Sequence, residues 1–145
     1  MDIKIPVINS AWYGQDKETS IKAEGKPAIS ITVPEEFGGS ADKWTPEDLF
    51  LASVNSCVMM TFKAAAKKSN LKFKEYQSRV ESTIQVVDRA LTFSKISVNP
   101  KIMIESEQDK EKVLLLMKKA EKKCLISQSI KTEIEVMPQV IVQNK

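Results

Sequence analysis

Thr45-Pro46-Glu47-Asp48-Leu49-Phe50-Leu51-Ala52-Ser53-Val54-Asn55-Ser56-Cys57-Val58-Met59-Met60-Thr61-Phe62 is the stretch on which the fold turns. Thr45 suits an N-cap, Pro46 suits the first helical position, and Glu47 and Asp48 put negative charge where the helix dipole favours it. Over residues 49–66 the apolar side chains cover nearly every direction around a helix instead of one stripe. A helix of that kind is predicted to be buried on several sides, in the middle of the protein or of an assembly. Lys67-Lys68-Ser69-Asn70 ends it with charges suited to a helix C-terminus.

On the N-terminal side the sequence reads as strands and turns. Residues 3–8 alternate weakly, residues 20–23 form a short candidate strand, and Gly25-Lys26-Pro27 signals a turn before a better strand at 28–33. Residues 34–43, with Gly38-Gly39, read as a loop, and Trp44 is placed to staple onto the helix. On the C-terminal side two long strands are expected. Val80, Ile84 and Val86 share a face, a turn falls near Asp88-Arg89, and residues 91–98 and 102–104 continue the pattern. Residues 109–123 switch to helical spacing, with Val113, Leu116, Met117 and Ala120 as the stripe, Cys124 on its continuation, and lysines 118, 119, 122 and 123 facing water. Ile134, Val136, Val140 and Val142 make a last strand in which Pro138 implies an edge or a bulge. This order, with a buried central helix, favours an α+β fold over a doubly wound parallel sheet. The apolar sides of the helix that one sheet leaves uncovered call for a second subunit, so a homodimer is expected.

Composition removes whole classes of chemistry. The 145 residues contain no histidine, so neither a Ser-His-Asp nor a Cys-His arrangement can be built, and two cysteines alone make a poor zinc site. The net charge of +3 comes from lysines mixed among acids, which argues against nucleic acid as a partner. The first ten residues lack a continuous hydrophobic stretch, and the apolar run at 49–62 is too short to span a bilayer, so no membrane partner and a cytoplasmic location are expected. In that compartment a cysteine pair is more often free, metal-bound or catalytic than a structural disulfide.

Cys57 has an ordinary account, that of a small buried hydrophobe. A thiolate among Val58, Met60 and Phe62 would need a compensating dipole or cation, and Ser53, Asn55 and Ser56 just before it suggest a polar pocket or a helix interruption that presents N–H groups. Glu47 fits the first helical turn on position alone. Ten residues of unbroken helix, about 15 Å, would separate it from Cys57, so direct contact would need a break or a bridging group. Cys124 also lies on a face expected to be buried, so the two thiols can meet; spacing alone does not say that they do.

Glu35-Glu36-Phe37-Gly38-Gly39, followed by Thr45-Pro46-Glu47-Asp48-Leu49-Phe50-Leu51-Ala52 and Asn55-Ser56-Cys57, resembles the signature of the OsmC/Ohr family, the osmotically inducible and organic-hydroperoxide-resistance proteins. Ala120-Glu121-Lys122-Lys123-Cys124 with Ser127 resembles that family's second-cysteine segment. The resemblance runs from about Lys22 to Val142 and implies a single domain over residues 1–145 with an OsmC-like fold, antiparallel sheets around buried central helices, in an intertwined homodimer with two active sites at its interface. It implies a stress-response thiol peroxidase without metal, haem or other cofactor. In that reading Cys57 is the peroxidatic thiolate and Cys124 resolves its sulfenic acid to a disulfide that an external dithiol reduces. Glu47 would hold an active-site cation, and Phe50, Met60 and Phe62 would form an apolar entrance for organic hydroperoxides.

The sequence departs from the family where that cation is expected. No arginine precedes Arg79, so Lys17, Lys22 or Lys26 supplies the charge without an arginine's two-point grip, or Arg79 does if the fold brings it close; Lys22 is taken as the residue facing the peroxide. Cys124-Leu125-Ile126-Ser127 lacks the proline and aromatic residue that often follow the second cysteine. Two other functions stay open on the sequence: a non-catalytic dimer of the same fold that binds a small apolar or thiol-containing ligand, and a structural dimer in which both cysteines fill the core.

Overall fold

Thr45 opens the long helix α1, Pro46–Lys68, with a reciprocal cap. Its Oγ1 accepts from the Asp48 N–H at 3.0 Å, and its own N–H donates to Asp48 Oδ2 at 2.9 Å. At the other end Asn70 adopts a left-handed φ of 54°. Leu71 N–H reaches back to Ala66 O at 2.9 Å and Asn70 N–H to Lys67 O at 3.3 Å, a Schellman closure with asparagine in the usual glycine position. The computed structural model describes residues 1–12 and 19–144. They fall into two compact units, Met1–Phe50 and Leu51–Lys145.

The Met1–Phe50 unit is a three-stranded antiparallel sheet of β1 (Ile8–Ala11), β2 (Thr19–Ala23) and β3 (Ile29–Ile31) in that order. Pairing starts with Ile8 opposite Ala23, so β1 begins where the alternating pattern of residues 3–8 ends; β2 offers partners only across its five residues, and Ile3, Ile5 and Val7 stay exposed. After β3 the chain makes one 3-10 turn, Glu35–Phe37, closed by Gly38 at φ 90°. A Cβ on Gly39 would lie 1.5 Å from Val33 O, so this turn accepts only glycine there. Trp44 is held through its backbone, which accepts from Thr32 N–H at 2.9 Å, and not by stapling: its side chain is half exposed.

In the Leu51–Lys145 unit, β4 (Glu75–Glu81) pairs antiparallel with β7 (Ile96–Ile104), while β5 (Ile84–Val87) and β6 (Ala90–Phe93) form a separate hairpin. Asp88 and Arg89, at φ 50° and 67°, make its turn, as the sequence predicted. The register shifts by one residue between Glu81↔Ser97 and Ile84↔Phe93, which places a bulge on the returning strand and splits each expected long strand in two.

The sheet is mixed, not antiparallel throughout. β8 (Ile134–Val136) and β9 (Gln139–Val142) both pair parallel with β7, because α2 (Lys110–Lys123) and the short α3 (Leu125–Gln128) carry the chain back across before β8. β8 and β9 keep one register against β7, so they are a single edge strand interrupted at Met137-Pro138. Ile96, Val98, Pro100, Ile102 and Ile104 of β7 alternate inward. They share the core with Val54, Val58, Phe62 and Ala66 of α1 and with Val113, Leu116, Met117 and Ala120 of α2, the stripe read from the sequence.

Within this chain α1 buries one stripe, not its whole circumference; Met60 is 57% exposed. By length and composition alone α1 reaches the size that crosses a bilayer, although the apolar run at 49–62 does not. Its polar side chains work inside the protein instead. Asn55 donates from Nδ2 to Ser78 O at 3.3 Å and accepts from Ser78 Oγ at 2.7 Å, which ties α1 to β4.

Candidate active site

Cys57 projects from the middle of α1, and Cys124 sits where α2 ends. The sequence Lys122-Lys123-Cys124 stops α2 because Cys124 turns to an extended conformation, φ −61° and ψ 115°, while its N–H still closes onto Ala120 O at 2.9 Å. The same residue caps α3, its Sγ accepting from Ser127 N–H at 3.5 Å. This double role aims the Cys124 sulfur inward, and the two thiols lie near enough for each to shift the other's ionisation. Both are free; Cys57 is half-buried and Cys124 is fully buried.

The neighbours treat the two sulfurs differently. Burial by itself pushes the Cys57 thiol up, but the Cys124 side chain, the Ile126 backbone N–H, the Thr61 side chain and the Leu125 N–H outweigh it, and Cys57 ionises below its ordinary value. Burial comes first for Cys124 as well, and the Cys57 sulfur adds to it. The Ser127 side chain and N–H oppose both without winning, so the Cys124 thiol is raised. The same surroundings thus favour ionisation of Cys57 over that of Cys124. That polarity is what a nucleophile and a resolving partner require.

The donors at Cys57 come from elements the sequence did not point to. Of the polar triplet before it, Asn55 is engaged with Ser78, and Ser56 Oγ donates back to Ala52 O at 2.7 Å. The helix is unbroken through both. The amides arrive instead from Leu125 and Ile126, across the fold, while Thr61, one turn along, gives its hydroxyl hydrogen to Cys57 O at 2.8 Å and would have to turn it to reach the sulfur. Thr61 carried the one available signal, a polar residue four positions after Cys57 inside an apolar run.

The remaining expected residues fall in different places. Phe62 has no exposure and packs against Phe73 and Tyr76, with ring centroids 5.5 and 5.6 Å away, so it is core and not part of an entrance. Its four-residue spacing from Val58 and Val54 puts it on the inward stripe. Met60 lines an open groove of about 590 Å³ with Lys63, Ala64, Lys67, Leu71, Lys72 and Phe73. Phe50, in the first unit, is half-buried, and Lys22 is exposed on β2 opposite Asn9. Glu47 lies one turn into α1, with Oε2 buried and unbonded. α1 runs straight on to Cys57, so their ten-residue spacing along the helix, about 15 Å, is not shortened by a break. Arg79 is exposed and pairs with Glu81 at 3.4 Å. Lys17 lies outside the described residues. No cluster of three or more acidic or cysteine side chains suited to a metal occurs among the described residues.

Comparison with known proteins bears on this arrangement. The profile of the family described as OsmC-like protein matches residues 39–138, which include both cysteines. The uncharacterized protein YmaD of Bacillus subtilis is 25% identical over 139 residues, covering 94% of this chain and 93% of its own. Among solved structures, an OsmC-like protein of unknown function from Vibrio cholerae aligns with a TM-score of 0.83 at 17% identity, over 96% of this chain and 100% of the other. An organic hydroperoxide resistance protein OsmC from Legionella pneumophila aligns with a TM-score of 0.73 at 17% identity, over 98% and 100%.

Proposed function

The chain belongs to the OsmC/Ohr family, and from that premise we propose that it is a cysteine-based peroxidase that reduces organic hydroperoxides. What supports this reading is that the half-buried Cys57 of α1 and the buried Cys124 at the end of α2 lie close together, with surroundings that favour ionisation of Cys57 over Cys124. The Cys57 thiolate attacks the distal peroxide oxygen; the O–O bond breaks, and the alkoxide leaves and takes up a proton. The Cys57 sulfenic acid then meets the Cys124 thiol. Their S–S bond forms as hydroxide departs with the Cys124 proton as water, and an external dithiol returns both thiols. No metal or other cofactor enters these steps.

Glu47 fixes a basic group beside the peroxide in this reading, supported by its buried, unbonded Oε2. Lys22, Phe50 and Met60 contribute to the peroxide's surroundings; the exposed sides of α1 and of the β5–β6 hairpin support a homodimer that completes them. The fold is that of a soluble domain, in keeping with a cytoplasmic enzyme.

The test is consumption of an alkyl hydroperoxide by the purified protein with dithiothreitol. Activity is expected to need both thiols, with a Cys57–Cys124 disulfide on the peptide map after one equivalent of peroxide. Undiminished consumption by Cys57→Ser would end the proposal. One observation favours a second reading: no arginine precedes Arg79, and Arg79 itself faces solvent with Glu81. A non-catalytic dimer that binds a small apolar or thiol ligand would lack turnover in this assay and still bind.

A further inference from the structure

Ser127 lies beside Cys124, and the peroxidase cycle above leaves it unused. Its Oγ is buried and makes no formed hydrogen bond. A serine hydroxyl shut away from water without a partner is costly, so its position calls for a reason. The hydroxyl nonetheless sits near enough to the Cys124 sulfur to favour that sulfur's ionised form, and the Ser127 N–H already donates to it at 3.5 Å. Cys124 thus has two donors aimed at a negative charge that, in the resting protein, burial and the Cys57 sulfur keep it from carrying.

That charge is needed at one step. A thiolate attacks a disulfide in line, approaching one sulfur from the side opposite the bond that breaks, and the far sulfur departs with the electron pair. Cys124 has no exposed surface, whereas Cys57 is half-buried and is the sulfur an incoming molecule can reach. Attack on Cys57 makes the departing group the buried Cys124, which would leave slowly if nothing received its charge, since a thiol of raised pKa is a poor leaving group.

We propose that the reducing dithiol attacks Cys57 Sγ and never Cys124 Sγ, and that Ser127 is the positioning residue that receives the departing Cys124 thiolate through its N–H and its hydroxyl. This rests on the peroxidase reading only for the existence of a Cys57–Cys124 disulfide. The first thiolate of the dithiol bonds to Cys57 Sγ as the Cys57–Cys124 bond breaks, and Cys124 leaves with the electron pair. The dithiol's second thiol gives its proton to Cys124, and the resulting thiolate attacks its own neighbour sulfur. Cys57 departs as a thiolate toward the Thr61, Leu125 and Ile126 donors, and the dithiol leaves as its disulfide. One protein disulfide is reduced to a Cys124 thiol and a Cys57 thiolate, and one dithiol is oxidised.

The disulfide can be made with diamide as well as with an alkyl hydroperoxide, which separates this step from the peroxidase reading. Protein oxidised either way is treated briefly with one equivalent of the monothiol cysteamine, acid-quenched before a second molecule displaces the first from the mixed disulfide, then alkylated and mapped by mass spectrometry. The expected product has cysteamine on Cys57 and the alkyl label on Cys124. Cysteamine on Cys124, or failure of diamide to form the disulfide at all, overturns the proposal. A disulfide formed by diamide but not by peroxide fails the peroxidase reading while this step stands. Ser127→Ala is expected to slow reduction by dithiothreitol about ten-fold, with Ser127→Thr restoring it. In a Cys57→Ser background Ser127→Ala should also raise the pH at which Cys124 thiolate absorbance appears. An unchanged reduction rate, or an unmoved Cys124 titration, removes Ser127 from the role. Should Ser127→Ala not fold, the monothiol map of the unaltered protein decides the direction of attack.

Discussion

Burial first and the neighbouring Cys57 sulfur second raise the Cys124 thiol, while the nearness of Cys124 helps to lower Cys57. Cys124 has no exposed surface and Cys57 is half-buried, so the two sulfurs differ in depth as well as in ease of ionisation.

The first prediction concerns pH. Alkylation of Cys57 with iodoacetamide, followed in Cys124→Ser to isolate it, should titrate below an ordinary thiol but above its value in the unaltered protein, because the serine is a less closely matched donor. Thr61→Val removes a hydroxyl that rests on Cys57 O and can turn to the thiolate, and should move the titration further up, slowing reaction at neutral pH by about two- to ten-fold. A titration unmoved by Thr61→Val would exclude its hydroxyl from the site. The linkage follows the same sign. Stability from the lowered Cys57 is complete above its unfolded value and lost as pH falls through the folded one. Stability from the raised Cys124 is complete below its unfolded value and lost as pH rises through the folded one.

Cys124→Ser should also alter the fate of the oxidised protein. With no resolving thiol the Cys57 sulfenic acid persists, is trapped by dimedone, and advances to sulfinic acid under excess peroxide. Intact-mass measurement distinguishes this from the unaltered protein, where loss of two hydrogens is expected. Equal overoxidation in both would show that Cys124 does not resolve.

Phe62→Ala empties a site that has no exposure and two aromatic neighbours. Urea denaturation should show a loss of about 3–5 kcal/mol, with no specific change in peroxide affinity in whatever protein stays folded. A loss below about 1 kcal/mol would mean that Phe62 is not the core residue described.

Tyr76→Phe should go the other way. The Tyr76 hydroxyl is buried without a hydrogen bond, and burial pushes its pKa up to about 12 despite the Ser78 side chain nearby. Removing a buried unsatisfied oxygen while keeping the ring against Phe62 should be neutral or stabilising by about 1 kcal/mol. Destabilisation of that size in the same urea experiment would reveal a partner for the hydroxyl.

Much of the framework was legible because it is local. Thr45, Pro46 and Asp48 specify a helix start within four residues, Val113, Leu116, Met117 and Ala120 mark their own inner face, and Asp88-Arg89 marks its own turn. The rest depends on partners distant in sequence. Residues 3–8 alternate as a strand does, but nothing in them reports that β2 can pair only from Ala23 outward. The parallel pairing of β8 and β9 with β7 follows from where α2 returns the chain, and the bulge near Ser94 from a register set on two strands together. The motif pointed to both cysteines, but the amides of Leu125 and Ile126 near Cys57 belong to residues whose side chains have no chemistry of their own. Phe62 was misread because an aromatic beside a reactive cysteine looks alike in sequence whether it faces inward or out.

The interrupted edge strand at Met137-Pro138 has a consequence for how the redox couple is held together. β7 and β8 are the two anchors of the α2–α3 span that carries Cys124, so the zipping of the final strand onto β7 fixes that span in position. Whatever loosens the seam between β8 and β7 therefore loosens the seat of Cys124 as well, without touching either thiol.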